Sequence, residues 1–165
     1  MAGMNTKKLA FTALVAALAA VLSYIDGLII LPVPGIKLGL CNIAVLFALC
    51  RMGKQQAVGI SVIRVFIVSL IVGFSSFPYS LAGAVLSFAV MALMLKISDV
   101  SLIAVSIAGA AAHSIGQIAV AVFYLSSVSL FYTYLPVMFV ISVVTGTVTG
   151  IAARLVLKHL PANLY

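Results

Sequence analysis

Acidic residues are nearly absent from this sequence, which has only Asp26 and Asp99 among its 165 residues, against nine lysines and arginines. Two isolated aspartates cannot provide the paired carboxylates of general acid–base catalysis or the carboxylate ligands of a Mg²⁺ site. The sequence also lacks a glycine-rich phosphate loop that ends in Lys-Ser or Lys-Thr, so we expect no nucleotide hydrolysis by this chain alone. These absences predict a protein that is not an enzyme and has no cofactor.

Cysteine is equally scarce. Cys41 and Cys50 are nine residues apart on one predicted helix, a spacing that cannot form a disulfide within that helix. No group of histidine, cysteine or acidic residues has the spacing of a metal site. We therefore interpret both cysteines as packing residues and expect no bound metal.

Charged residues make up only 7% of the chain, whereas 65% of it is hydrophobic and the mean hydropathy is +1.38. A soluble domain of this size could not bury so much apolar surface, so the composition indicates an integral membrane protein. The apolar runs lack the two-residue alternation of barrel strands, which favours helices. We predict a single transmembrane domain over residues 1–165, an all-α compact bundle of six transmembrane helices. The predicted segments are residues 9–31, 38–53, 55–77, 79–97, 100–124 and 133–157.

The positive charges are distributed unevenly about these segments. Six spans put both termini on one side, and that side receives seven of the nine cations, namely Lys7, Lys8, Arg51, Lys54, Lys96, Arg154 and Lys158. The other side has Lys37 alone, and Arg64 falls inside a span. The positive-inside rule therefore places both termini in the cytoplasm. We expect a multi-pass protein of a bacterial plasma membrane, in contact with lipid. Because the cations lie at span ends and form no single basic face, we expect no nucleic-acid partner.

The stretch PVPGIKLGLCN at residues 32–42 separates the first two apolar runs. Its prolines forbid a continuous helix, and its glycines permit a tight turn or a close approach to a ligand. A new helix is predicted to begin near Leu38, so its first N–H groups would lie beside the Lys37 ammonium and could bind an anion. The alternative is a loop that only re-enters the membrane, with Lys37 in solvent or paired with Asp26.

Arg64 is the most unusual residue of the apolar runs, because it lies nine residues from Gln55 and hence ~14 Å deep at 1.5 Å per residue. A central arginine costs roughly 2.5–3.5 kcal/mol on insertion scales and faces a cavity or a partner. Both aspartates are predicted near span ends, so an anionic ligand is the predicted partner. The alternative is an arginine that is bound by backbone carbonyls or that extends its charge outward.

Further polar residues are predicted at similar or adjoining depths. His113 and Gln117 are four apart and so share a helix face, and Asn42 lies in the first turns of the second segment. Tyr79 is expected at the outer rim, where several tyrosines form an interfacial belt. We hypothesise one outward-opening pocket for substrate. Its predicted lining residues are Lys37, Asn42, Arg64, Tyr79, His113 and Gln117.

The first segment is rich in alanine, with pairs at four-residue spacing that make one helix face smooth enough for another helix to approach closely. These pairs are Ala13 with Ala17 and Ala16 with Ala20. Such pairs usually serve packing inside the bundle, but this helix could also pack on a partner subunit, and the sequence does not separate the two.

Four blocks carry a family resemblance: PGIKLGLCNI at residues 34–43, IRV at 63–65, YSLAG at 79–83 and AHSIGQ at 112–117. With these blocks the chain resembles the family labelled heptaprenyl diphosphate synthase component I, also called the Gx transporter family. That family is similar to the substrate-binding S components of energy-coupling-factor (ECF) transporters. The resemblance implies a six-helix membrane subunit that captures a small molecule outside the cell. It also implies that the small-residue face of the first helix docks on a transmembrane coupling subunit, which two cytoplasmic ATPases drive. In this chain the docking residues would be Ala13, Ala16, Ala17 and Ala20.

The predicted function is therefore a substrate-binding membrane subunit of an ECF-type importer for a small, anionic or vitamin-type molecule. The first alternative, implied by the synthase label, is a non-catalytic membrane component of prenyl diphosphate or quinone synthesis. A third reading is a stand-alone channel or carrier.

Overall fold

The computed structural model describes residues 6–28 and 39–160, and it confirms an all-helical fold with six α-helices. A single 3₁₀ turn, Phe74–Ser76, leads into the fourth of them. The helices are α1 (Thr6–Leu28), α2 (Asn42–Arg51), α3 (Lys54–Val72), α4 (Phe77–Met94), α5 (Leu102–Leu125) and α6 (Ser129–His159).

Five of these helices, all except α2, are long and apolar enough to cross a membrane, so the protein is a multi-pass membrane protein. The exception, α2, has ten residues and is about 15 Å long, roughly half of a hydrocarbon core of about 30 Å. The predicted second segment, residues 38–53, was therefore longer than the helix that forms. A turn at Gly39, whose φ of +86° favours glycine, delays the start of α2 to Asn42.

The short helix α2 lies at the centre of the bundle, in contact with each of the five long helices. Around it α1 packs on α3, α3 on α4, α4 on α5 and α5 on α6, and α6 returns to α2. Five consecutive apolar residues of α2, from Ala44 to Ala48, are buried. A helix that is apolar on every side is expected in such a central position.

The packing of α5 on α6 depends on small residues. A Cβ added to Gly146 would lie 2.5 Å from Ile107 Cα, so only glycine permits this approach. One helical turn away, Gly150 has the same role, and the hydroxyls of Ser106 and Thr149 share a hydrogen bond of 2.7 Å. These contacts fix α5, and with it the polar residues that α5 carries.

The end of α2 is tied to the end of α6. Arg51 Nη2 donates hydrogen bonds to the carbonyl oxygens of Leu157 at 2.8 Å and Leu160 at 3.0 Å. The arginine thereby supplies donors to carbonyls that the helix leaves unpaired at its C-terminus. The last residue of α2 and the last turn of α6 therefore share one end of the bundle. Its assignment to the cytoplasm rests on the charge asymmetry and stays a prediction.

Candidate functional site

Seven polar or sulfur-containing side chains from four helices and one turn meet inside the bundle, and we call this group the polar layer. Each is at most 3% exposed. The polar layer consists of Ser23 and Asp26 of α1, Cys41 of the turn, Asn42 of α2, Arg64 of α3, and His113 and Gln117 of α5.

The helices α2 and α3 both extend to the polar layer from the end of the bundle where Arg51 and Lys54 lie. Asn42 begins α2 nine residues before Arg51, and Arg64 lies ten residues after Lys54. At 1.5 Å per residue both positions are about 15 Å from that end, near the middle of a hydrocarbon core. The contact between Arg64 and Cys41 confirms that the start of α2 and the middle of α3 lie at one depth.

The guanidinium of Arg64 is only partly satisfied. Its Nη1 donates to Ser23 Oγ at 3.0 Å and to the thiol of Cys41. Its Nε and Nη2 are buried and have no hydrogen-bond partner within residues 6–28 and 39–160. A buried donor without an acceptor costs about 1–3 kcal/mol, and more when it is charged. Two donor nitrogens of a buried cation thus remain without an acceptor in the described part of the chain.

Asp26 binds the backbone of the turn that precedes α2. Its Oδ2 accepts hydrogen bonds from the backbone N–H groups of Gly39 at 2.6 Å and Leu40 at 3.1 Å. In turn the N–H groups of Asn42 and Ile43 donate to the carbonyls of Gly39 and Leu40. The N–H groups predicted to bind an external anion at the start of this helix are therefore engaged by the chain itself. That prediction was wrong for these groups, and Lys37 lies outside the described residues.

The position of Asp26 also corrects the argument about Arg64. Asp26 follows Ser23 by three residues on α1, so the two share one helix face, and Ser23 is a hydrogen-bond partner of Arg64. Asp26 is 1% exposed, so a carboxylate does lie inside the bundle near this guanidinium. Asp26 was predicted near a span end and away from Arg64. The three-residue spacing of Ser23 and Asp26, which puts both on one face of α1, is the sequence signal for their shared burial.

His113 is held between two glycines. A Cβ on Gly83 of α4 would lie 2.8 Å from His113 Cε1, and a Cβ on Gly39 would lie 3.5 Å from His113 Cδ2. The same Cβ on Gly39 would lie 3.1 Å from Asn42 Nδ2, so Asn42 adjoins the imidazole. This amide nitrogen is buried and has no hydrogen-bond partner in the described part of the chain. Sequence reasoning did not name Gly39 or Gly83 as site residues, although each lies in one of the four blocks.

Gln117 and Tyr79 extend from the polar layer toward the end of the bundle opposite Arg51. Gln117 is fully buried, one turn along α5 from His113. Tyr79 is half-buried, one turn before Gly83 on α4, and it stacks on Tyr124 with ring centroids 6.0 Å apart. The structure thus brings together four of the six predicted binding residues, places Tyr79 at the rim and leaves Lys37 undescribed.

The alanine face of α1 divides into two parts. Ala16 and Ala20 are 4% and 8% exposed and lie inside the bundle, which favours the alternative of internal packing for these two residues. Ala13 and Ala17 are exposed. They remain candidates for contact with a partner helix.

The unpaired donors determine what the polar layer can bind. Nε and Nη2 of Arg64 and Nδ2 of Asn42 are hydrogen-bond donors only. A carboxylate or phosphate oxygen fits such donors, and guanidinium binds both with paired hydrogen bonds. Within residues 6–28 and 39–160, no three His, Cys, Asp or Glu side chains are grouped to hold a metal ion.

A comparison with protein families yields one finding. The family model described as heptaprenyl diphosphate synthase component I matches residues 15–156, which include every residue of the polar layer. No curated protein and no solved structure matches the chain.

Proposed function

The chain belongs to the heptaprenyl diphosphate synthase component I family, and we propose that within it the protein is the substrate-binding membrane subunit of an importer. The single observation that carries this proposal is the pair of unpaired donor nitrogens on Arg64, buried near the middle of a membrane-spanning bundle. Intramembrane charges are costly and mark substrate or ion pathways. The bound molecule is small and carries a carboxylate, phosphate or similar oxygen-rich group.

Binding uses the donors that the polar layer leaves open. Nε and Nη2 of Arg64 hold the anionic group, and Nδ2 of Asn42 donates to a second acceptor. His113 and Gln117 set the orientation of the remainder of the molecule. Because the Asp26 carboxylate already accepts hydrogen bonds from the N–H groups of Gly39 and Leu40 in the turn before α2, the proposed ligand does not use these groups.

Transport follows from binding only in a larger assembly. The molecule enters from the end opposite Arg51, which we place outside a bacterial plasma membrane. The loaded subunit then reorients against a transmembrane coupling subunit that cytoplasmic ATPases drive. The exposed Ala13 and Ala17 give α1 a smooth strip for that contact, since small residues let helix backbones approach closely.

A second candidate function is favoured by the description of the family. The same donors would bind a diphosphate, so the protein could be a non-catalytic membrane component of prenyl diphosphate or quinone synthesis. A Mg²⁺-dependent prenyl transfer needs several carboxylates, and this chain has only two aspartates. One of them, Asp26, already accepts hydrogen bonds from the backbone of Gly39 and Leu40.

Identification of the co-purified ligand tests both functions. The protein is purified in mild detergent, and the small molecules it retains are compared by mass spectrometry with those retained by Arg64→Met. We expect an acidic compound in the wild type that is lost from the variant. A water-soluble compound supports import, and a prenyl phosphate or quinone precursor supports the alternative.

The matched control is Arg154→Met, which makes the same substitution at an exposed position of α6. It should retain the compound. Thermal unfolding of Arg64→Met is measured as well, because the variant removes a buried charge with two unpaired donors but also a cation near the buried Asp26 carboxylate. Equal retention by Arg64→Met and the wild type contradicts binding at the polar layer.

A further inference from the structure

A concave surface lies at the end of the bundle opposite Arg51, where the 3₁₀ turn and the start of α4 face the last turn of α5. We call it the aromatic groove. Its volume is about 410 Å³, within the range of roughly 300–1,000 Å³ of small-molecule sites. It is lined by Phe74, Ser75, Phe77, Pro78, Tyr79 and Tyr124.

The rings of the aromatic groove form two near-parallel pairs. Phe74 and Phe77 are 5.3 Å apart with an interplanar angle of 1°, and Tyr79 and Tyr124 are 6.0 Å apart at 29°. Aromatic rings attract one another in offset stacks at such separations. A planar ring that entered the groove could stack on either pair in the same way.

Two other features of the surface help to identify the occupant. The groove between α3 and α4 is lined mainly by aliphatic side chains such as Val62, Leu81 and Val85, the chemistry that suits a lipid acyl chain. Tyr132, an aromatic residue outside the groove, is 75% exposed and meets the edge of the Phe131 ring at an interplanar angle of 87°. The aromatic groove differs from both, because four aromatic rings, arranged in two near-parallel pairs, line one concave surface.

We propose that the aromatic groove is a binding site for the planar aromatic or conjugated ring of a small molecule. The ring stacks on Tyr124 and Phe74, and the Ser75 and tyrosine hydroxyls bind its polar substituents. Tyr79 lies four residues from Gly83, so the groove begins about 6 Å along α4 from the contact with His113. The site stands apart from the anion site at Arg64 and does not rest on the proposed import function.

The test uses an uncharged ring, so that the polar layer is not involved. Radiolabelled 2-naphthylmethanol and its fully saturated decahydro analogue are measured by flow dialysis against protein in phosphatidylcholine liposomes, with partition into empty liposomes subtracted. We expect saturable binding of the naphthyl compound only. Tyr124→Leu keeps apolar volume but removes the ring, and should raise Kd about three- to tenfold. Tyr124→Phe keeps the ring and should bind nearly as the wild type does.

Three further variants complete the design. Phe74→Leu should also weaken binding, and it changes a side chain that is 67% exposed, so the fold is retained. Tyr132→Leu removes an exposed ring outside the groove and should leave Kd unchanged, as should Arg64→Met. Equal binding of the saturated analogue, an equal loss in Tyr132→Leu, or dependence on Arg64 would overturn the proposal.

Discussion

The substitution Gly83→Ala tests how tightly the polar layer is packed around His113. A Cβ on Gly83 would lie 2.8 Å from Cε1 and 2.9 Å from Nδ1 of the imidazole, well inside the 3.4 Å at which ordinary contact begins. The ring has little room to retreat, because Gly39 and Asn42 adjoin its opposite edge. The clash must therefore displace His113 or separate α4 from α5.

The expected cost follows from two opposing effects. Overpacking of a filled interior costs typically about 1–3 kcal/mol. Replacement of glycine by alanine within a helix stabilises the helix by up to about 1 kcal/mol. We expect Gly83→Ala to lower the free energy of unfolding by about 1–2 kcal/mol. The matched control is Gly59→Ala in α3, where a Cβ meets nothing within 4 Å, so that variant should be as stable as the wild type or slightly more so.

The assay is a denaturant titration in mixed micelles, followed by circular dichroism and extrapolated linearly to zero denaturant. A double-mutant cycle isolates the contact: in a His113→Ala background the imidazole is gone, so Gly83→Ala should cost little. The packing argument is refuted if Gly83→Ala is as harmless as Gly59→Ala. It is equally refuted if its cost is undiminished when His113 is absent.

Three other perturbations test separate features. Asp26→Asn turns charge-assisted hydrogen bonds to the turn before α2 into neutral ones, so thermal unfolding should show a loss of about 1–3 kcal/mol, and no loss would contradict the role of the carboxylate. Ala13→Leu with Ala17→Leu should leave the isolated protein stable but reduce its co-purification with a coupling subunit; instability would instead indicate internal packing. In a background without the exposed native cysteine, Ser127→Cys should react with an external reagent in intact cells and Lys54→Cys should not, and the reverse pattern would invert the topology.

The helices could be predicted because the length and hydropathy of a segment can be read from that segment alone. The burial of four binding candidates, Asn42, Arg64, His113 and Gln117, could be predicted in the same way. A polar side chain in an apolar helix is costly in lipid, so it is expected to face the interior of a bundle. The structure places all four there. Their role in binding a ligand stays a prediction.

Other features depend on which helix lies beside which, and no local pattern encodes that. The pairs Ala13 with Ala17 and Ala16 with Ala20 have the same spacing, and only the packing of α1 on α3 and α2 separates the exposed pair from the buried one. The bond from Gly39 to Asp26 likewise joins residues that are 13 apart in the sequence, and no local pattern predicts that pairing.

The central position of α2 determines when the bundle can be completed during synthesis. A helix of ten residues is too short to be inserted as an independent membrane span. Of the helices, only α1 is synthesised before α2. When the turn before α2 is synthesised, its partner Asp26 has already been translated, whereas Arg64 and His113 are translated later. The helices α5 and α6, which also enclose α2, are translated last. We therefore expect α2 to reach its position in the bundle only when nearly the whole chain has been synthesised. In a nascent chain that ends after α4, α2 should not be stably packed in the membrane.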